Sequence, residues 1–163
     1  ELVIQAGIAG AFSPNLQLGE VVLIGQDTFA DIGMEEKTHF TSIFDSGFMD
    51  ANEFPFIDKW LLNKTPIIST LSLPVVKGIT INKVSDSLLQ REQTVSNFSP
   101  NIESMEGAAF HYVCLQEQVP FLQVRSISNY VGERDKLKWK IKEAIGNLNE
   151  ALVLIIDNLV IDN

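Results

Sequence analysis

The fold class this sequence predicts is an α/β domain with a largely parallel or mixed sheet. Three observations lead there. Short apolar runs rich in Val and Ile alternate along the chain with stretches of helical apolar spacing. The 163 residues are 45% hydrophobic and 20% charged, ordinary values for one globular domain. No repeat, low-complexity tract or linker divides the chain. At this length roughly two thirds of the unfolded surface is buried, so the core needs no disulfide or metal staple.

Taken in order, residues 2–5 form a short apolar run that reads as a buried strand. Gly7-Ile8-Ala9-Gly10 follows as a turn of small residues. Residues 21–25, introduced by Gly19-Glu20, make a second strand. Residues 26–52 show no clear period and carry scattered Gly, Asp and Thr, which predicts a long loop with short pieces of structure. Loops of that length are often functional. Residues 53–63 are expected to be helical, with Phe54, Ile57 and Leu61 on one face.

Residues 74–84 alternate with β-branched side chains and read as a strand; residues 85–96 read as a surface helix. Residues 102–105 form a short strand. Residues 106–118 place Ala109, Phe110, Val113 and Cys114 at helical spacing until Pro120 stops them. Residues 121–127 make the strongest buried strand. Residues 136–158 form the longest helix, with a stripe from Leu137 through Ile141, Ile145, Leu148, Leu152 and Ile155 that points on to Leu159. In such sheets ligands gather at the carboxyl ends of strands.

Charge and composition exclude several classes. Twelve basic against 21 acidic residues give a net charge of -9. That argues against a nucleic-acid backbone or an anionic membrane as the main partner. The single cysteine, Cys114, excludes an internal disulfide framework and fits a reducing cytoplasm. The apolar stretch at residues 151–156 is too short to span a bilayer. The chain opens on Glu1-Leu2-Val3-Ile4 with neither Met nor a basic leader. This is no signal peptide; it reads as a core strand entered at its first residue, and further residues are expected before it.

Few residues have the makings of a site. His39 and His111 lie far apart, and neither has a second His or a Cys at ligand spacing, so no metal is expected. Cys114, on the apolar face of its helix, reads as a structural thiol. Gly7 to Gly10 is not a Walker loop and matches a dinucleotide fingerprint poorly. More informative is Glu103-Ser104-Met105-Glu106-Gly107. Glu106 stands where a short strand gives way to a helix. A carboxylate there can accept both hydroxyl hydrogens of a vicinal diol such as ribose; it can equally be an acid favoured by the helix dipole. Arg125-Ser126-Ile127-Ser128-Asn129, at the carboxyl end of the strongest strand, is the other candidate, or simply the start of a turn.

These two segments, Ser104-Met105-Glu106-Gly107-Ala108-Ala109 and Val124-Arg125-Ser126-Ile127-Ser128-Asn129, resemble the purine nucleoside phosphorylase and nucleosidase superfamily. Ala6-Gly7-Ile8-Ala9-Gly10 followed by Leu18-Gly19-Glu20-Val21-Val22 looks like its glycine-rich segment. Ser128-Asn129-Tyr130-Val131, Glu133-Arg134-Asp135 and Trp139-Lys140-Ile141 resemble the futalosine hydrolase subgroup, whose substrate belongs to menaquinone biosynthesis. The similarity covers nearly the whole chain. It implies a three-layer α/β/α sandwich around a central mixed sheet, one domain over residues 1–163 lacking the family's N-terminal strand-helix segment. It implies hydrolysis of the N-glycosidic bond of futalosine, releasing hypoxanthine, with no cofactor and a homo-oligomeric assembly.

Carried over, Glu106 binds the ribose 2′ and 3′ hydroxyls and Met105 lies beneath the sugar. Asn129 meets the base. Ile8, Ala9 and Gly10 line the site near ribose and purine, and Val84 covers one face of the base. The superfamily's hydrolases orient the attacking water with an acid in the N-terminal segment that has no counterpart here. Asp31 and Asp86 are the substitutes on offer, and nothing in their spacing supports either. The segment is therefore expected to be nearly inactive by itself. Futalosine carries a carboxylate; among only three arginines, Arg91, Arg125 and Arg134, the last is the candidate cation, unless a neighbouring acid such as Asp135 takes it. Arginine poverty weighs against the alternative, a phosphorolytic enzyme acting on 6-oxopurine nucleosides. A non-catalytic purine-binding module is the third reading. The aromatic run Phe40, Phe44, Phe48, Phe54, Phe56 and Trp60 is either an interface or core.

Asn129 departs from the methylthioadenosine nucleosidases, which place an Asp there as general acid. A neutral amide gives up a proton poorly, but it donates to N7 and O6 of a 6-oxopurine, where adenine offers a donor at position 6. Losing a general acid costs about 10² to 10⁴ in rate unless hydrogen bonding replaces it. Asn129→Asp is therefore expected to shift kcat/KM toward adenine nucleosides and away from hypoxanthine nucleosides; an unchanged ratio overturns the assignment.

Overall fold

The computed structural model describes residues 1–37, 39–84 and 87–161. The elements are β1 (Val3–Ala11), β2 (Val21–Asp27), β3 (Gly33–Glu36), β4 (His39–Ser42), β5 (Leu61–Leu62), β6 (Val75–Thr80), α1 (Leu88–Phe98), β7 (Ile102–Ser104), α2 (Gly107–Gln116), β8 (Phe121–Tyr130) and α3 (Ile141–Ile161). A mixed sheet runs β5-β2-β6-β7-β1-β8, and β3 pairs with β4 as a separate hairpin. The start of β2 also pairs antiparallel with β8, so five strands curl into a closed ring. The carboxyl ends of β1 and β8 lie side by side because the two strands pair in parallel, whereas β2, β6 and β7 run the opposite way.

Alternation along β8 sets the layers. Leu122 and Val124 turn to one face and pack with Leu23, Leu148 and Ile155, the last two from α3. Phe121 turns to the other face, its ring meeting Phe110 and His111 of α2 at 5.5 and 4.7 Å between centroids. The expected α/β/α layering with a mixed central sheet is what forms. α1 closes one end through Phe98, which packs with Phe12, Ile79, Ile81 and Val131. Its Ser87 caps the helix start by accepting from the Gln90 amide at 3.3 Å. The helix was expected to start at Ser85; that residue and Asp86 lie outside the described residues.

Three expectations are corrected. Gly7-Ile8-Ala9-Gly10 is not a turn; it continues β1 to Ala11, because every position pairs with β8. Residues 53–63 are not a helix. Asp58 and Lys59 hold left-handed backbone at φ 48° and 72°, which no helix accommodates, and Phe54 and Ile57 are exposed while Leu61 pairs in β5. The C-terminal helix does not start at Lys136: residues Lys136–Lys138 form a separate 3-10 turn in which Leu137 is 93% exposed. The long loop does carry short structure, in the form of the β3–β4 hairpin.

Cys114 is buried as expected. The aromatic run divides: Phe44 and Phe56 are core, whereas Phe48 and Phe54 are exposed. The apolar stripe of α3 divides too, since Leu148 is buried and Ile145 is 45% exposed. Leu148→Ala is therefore expected to destabilise by about 2–5 kcal/mol and Ile145→Ala by about 1 kcal/mol or less in urea denaturation. Equal losses would show that both positions face the core.

Candidate functional site

The site grows from the carboxyl end of β1. Gly10 pairs with Glu103 of β7 on one side and with Asn129 of β8 on the other. A register shift between Ala9 and Gly10 skips Ser128 and brings Asn129 level with Gly10. A Cβ on Gly10 would stand 3.3 Å from Asn129 Nδ2, 3.5 Å from Glu103 Cγ and 3.2 Å from Val131 Cγ2. Glycine here serves close approach of three strands rather than a turn. The Asn129 carbonyl accepts from the Ser128 hydroxyl at 2.8 Å, and its Nδ2 donates to the Tyr130 carbonyl at 3.2 Å. The amide is thus held with oxygen and nitrogen in fixed places.

A second group forms at the start of α2. Glu106 is the N-cap residue, yet its side chain caps nothing. Its Oε2 lies 3.4 Å from Arg125 Nη1, and Arg125 Nη2 donates to Gln5 Oε1 at 2.9 Å. The Arg125 side chain is 4% exposed and that of Glu106 is 63% exposed. A buried guanidinium thus anchors a carboxylate that still opens to solvent. Gly7 makes the anchor possible, since a Cβ there would collide with the guanidinium. Removing either partner of such a pair leaves the other uncompensated, which is costly for the buried one.

Beneath this pair lies a buried polar cluster. Asp27 Oδ1 accepts from the Thr28 amide at 2.8 Å and the Thr80 hydroxyl at 3.0 Å. The same Thr80 oxygen accepts from the Ala108 amide at 2.7 Å, which ties the first turn of α2 to the sheet. Gly107 lets that turn settle: a Cβ would strike Asp27 and Gln123. Burial pushes the Asp27 carboxyl up to about 7, against the hydrogen bonds from Thr80, Gln123 and Thr28 and the charge of Arg125. His111 is fully buried, its Nδ1 donating to the Leu61 carbonyl at 3.0 Å. Burial pushes it down to about 4, so it is a neutral core residue. No group of three His, Cys, Asp or Glu able to hold a metal occurs among the described residues.

A cavity of about 320 Å³ opens beside Gly10, lined by Phe12, Ile81, Glu103, Val131, Arg91 and Lys83 among others. Gly10 and Asn129 are not in this lining; the structure brings them together next to Glu103 and Val131, which are. Ile8 precedes them in β1, half-buried. The Ala9 methyl packs in the core with Ala11 and Ile127, so Ala9 presents backbone only. Met105 and Val84 are exposed, at 47% and 40%, on the segments that follow β7 and β6. Asp31 lines the cavity, but its carboxylate accepts from the Asn82 side chain at 2.9 Å and from the Asn82 and Lys83 amides. Asp86 lies outside the described residues. Arg134 is exposed and takes part in none of the ion pairs among the described residues. The neighbouring Glu133 pairs with Lys138 at 2.7 Å, and Asp135 accepts from the Leu137 amide.

Sequence reasoning missed Glu103, the anchoring role of Arg125 and the reason for Gly7. The signal for Glu103 was its place: an acid inside a short strand, in step with Gly10 of the neighbouring strand.

The model of the phosphorylase superfamily matches residues 1–160. The chain belongs to that superfamily. Among curated relatives, the futalosine hydrolase of Thermus thermophilus is 33% identical over 149 residues, which is 90% of this chain and 65% of that protein. The futalosine hydrolase of Streptomyces coelicolor is 32% identical over 155 residues, covering 93% of this chain and 63% of the relative. The chain thus spans less than two thirds of the length of either. Solved structures share the fold: futalosine hydrolase of Helicobacter pylori superposes with a TM-score of 0.74 at 18% identity, covering 96% of this chain and 68% of that one. The S-adenosylhomocysteine nucleosidase of Streptococcus pyogenes, in complex with 5-methylthiotubericidin, gives 0.77 at 19%, covering 97% and 68%. The phosphorylase-superfamily fold of this chain therefore carries the sheet and the strand ends on which its candidate site stands.

The buried acid makes stability depend on pH. Between the unfolded carboxyl value near 3.8 and about 7, the folded state holds a proton on Asp27 that the unfolded state releases. This contribution is fully present below pH 3.8 and is lost as pH rises through 7. Asp27→Asn keeps an oxygen for Thr28 and Thr80 and removes the titration. The variant is expected to lose less stability than the parent between pH 5 and pH 8 in chemical denaturation. Parallel curves for the two proteins would refute this.

Proposed function

We propose that this chain is the larger part of an N-glycosidic hydrolase that releases hypoxanthine from futalosine, with residues 1–163 forming one domain. The observation that carries the reading is the neutral Asn129 amide held beside Gly10, where it can donate to a 6-oxopurine. Identity of 32–33% to two futalosine hydrolases supports the same substrate.

In this reading Glu106 accepts hydrogen bonds from the two ribose hydroxyls. Arg125 holds that carboxylate in place from behind, and a fixed acceptor strengthens as the sugar gains oxocarbenium character. Met105 lies under the sugar. Ile8, Ala9 and Gly10 offer backbone along the ribose and base, and Val84 covers the base. The C1′–N9 bond breaks with its electron pair going to the purine, and water supplies the hydroxyl at C1′. Asn129 donates to the purine as its electron density rises. The site needs no cofactor. No described helix is long and apolar enough to cross a membrane. We place the enzyme in the cytoplasm as a homo-oligomer, with exposed Phe48 and Phe54 available for the contact.

The test is to incubate the full-length protein with futalosine, inosine and methylthioadenosine, with and without phosphate, and to follow free base. Hypoxanthine is expected from futalosine at a rate independent of phosphate. Phosphate-dependent release would make it a phosphorylase. Hypoxanthine binding with no release from any nucleoside would make it a binding module.

A further inference from the structure

Glu103 has no part in the reading above, yet it occupies the same floor as Asn129. Its Cγ and the Asn129 Nδ2 both lie within 3.5 Å of the point that a Gly10 Cβ would fill. It projects from β7 into the cavity beside Gly10. It is half-buried, and its carboxyl has no hydrogen bond or ion pair to any described residue. Register explains the placement: Glu103 pairs with Gly10 across the antiparallel β1–β7 contact, and Ile102 and Ser104 on either side are buried toward the opposite face.

We propose that Glu103 is a catalytic residue of this site, the proton donor to the purine leaving group that a neutral Asn129 cannot be. The proposal rests on the nucleosidase reading and extends it. The step balances as follows. The C1′–N9 bond breaks, its electron pair passes to the purine, and the Glu103 proton moves to N7. Water adds its oxygen to C1′ and releases one proton, which through solvent restores the acid form of Glu103. Asn129 meanwhile donates to O6. Acid and amide then divide the work that one aspartic acid does in the adenine-releasing enzymes the sequence resembles.

The electrostatics of the cavity support a protonated side chain. Burial pushes the Glu103 carboxyl up to about 7, and Arg91 opposes that rise. A general acid is most effective when its pKa lies near the working pH. The other charged groups around the cavity are Lys83 after β6, Asp31 before β3 and Glu35 in β3, with Arg91 on α1. The Arg91 guanidinium is partly engaged, donating to the Phe12 carbonyl at 3.1 Å, and Asp31 is tied to Asn82.

The test compares leaving groups in the full-length protein. With a hypoxanthine nucleoside, Glu103→Gln is expected to lose about 10² to 10⁴ in kcat, and Glu103→Asp to recover part of it. With 4-nitrophenyl riboside, whose leaving group departs without protonation, the loss is expected to stay under about tenfold. The parent kcat for the nucleoside is expected to fall above pH 7, and Glu103→Gln to lack that limb. Equal losses with both substrates, or an unchanged pH profile, overturn the proposal and leave the nucleosidase reading standing. Calorimetry with hypoxanthine at pH 8 in two buffers of different ionisation enthalpy gives an independent readout. The parent is expected to take up a proton on binding and Glu103→Gln none. Proton uptake in the parent without base release from any nucleoside would sink the nucleosidase reading and keep the Glu103 contact. No uptake in the parent sinks the contact.

Discussion

When β1 pairs in parallel with β8, Gly7 comes level with Arg125 and Gly10 with Asn129. At Gly7 the guanidinium occupies the space where a Cβ would be, and at Gly10 the neighbouring side chains of Val131, Asn129 and Glu103 leave a Cβ only tight contacts. The guanidinium over Gly7 reaches Glu106 at the start of α2, and the amide beside Gly10 stands next to Glu103 and Val131, which line the cavity. The strand pairing thus positions both halves of the site, the one proposed to hold a diol and the one proposed to meet a base. The shift of register at Ala9 matters because a regular pairing would bring Ser128, not Asn129, level with Gly10.

The site also depends on how its charges are buried. Arg125 is almost fully removed from water, with Glu106 and Gln5 as its partners. An unpaired charge in that position would be expensive, so the guanidinium and the carboxylate hold each other. Asp27 is buried and Glu103 half-buried, neither with a cation in hydrogen-bond contact, and both carboxyls move toward neutrality. In both, burial is the largest cause of the rise.

Much of the architecture was legible in the sequence. The strand at residues 121–127 was legible from Phe121, Leu122, Val124 and Ile127, which put apolar side chains on both faces, where α2 and α3 cover them. Glu106 at a strand-to-helix junction was visible as well. The failures were local. Residues 53–63 carry apolar residues at helical spacing, but their backbone is set by left-handed Asp58 and Lys59 and by the pairing of Leu61 with Asp27. The glycines of β1 read as a turn because nothing in a single strand tells close packing from chain reversal.

By itself the sequence determined the α/β class, the family and the residue types available for chemistry, since these follow from periodicity and from short motifs. Only the tertiary structure decided which of those residues meet. Gly10, Glu103 and Asn129 belong to three strands far apart in the chain, and their meeting depends on one antiparallel and one parallel register. Register is a property of pairs of strands, and shifting it by one residue sends a side chain to the opposite face. That is why an acid in a three-residue strand was silent in the sequence and in the fold comes level with Gly10, close to Asn129.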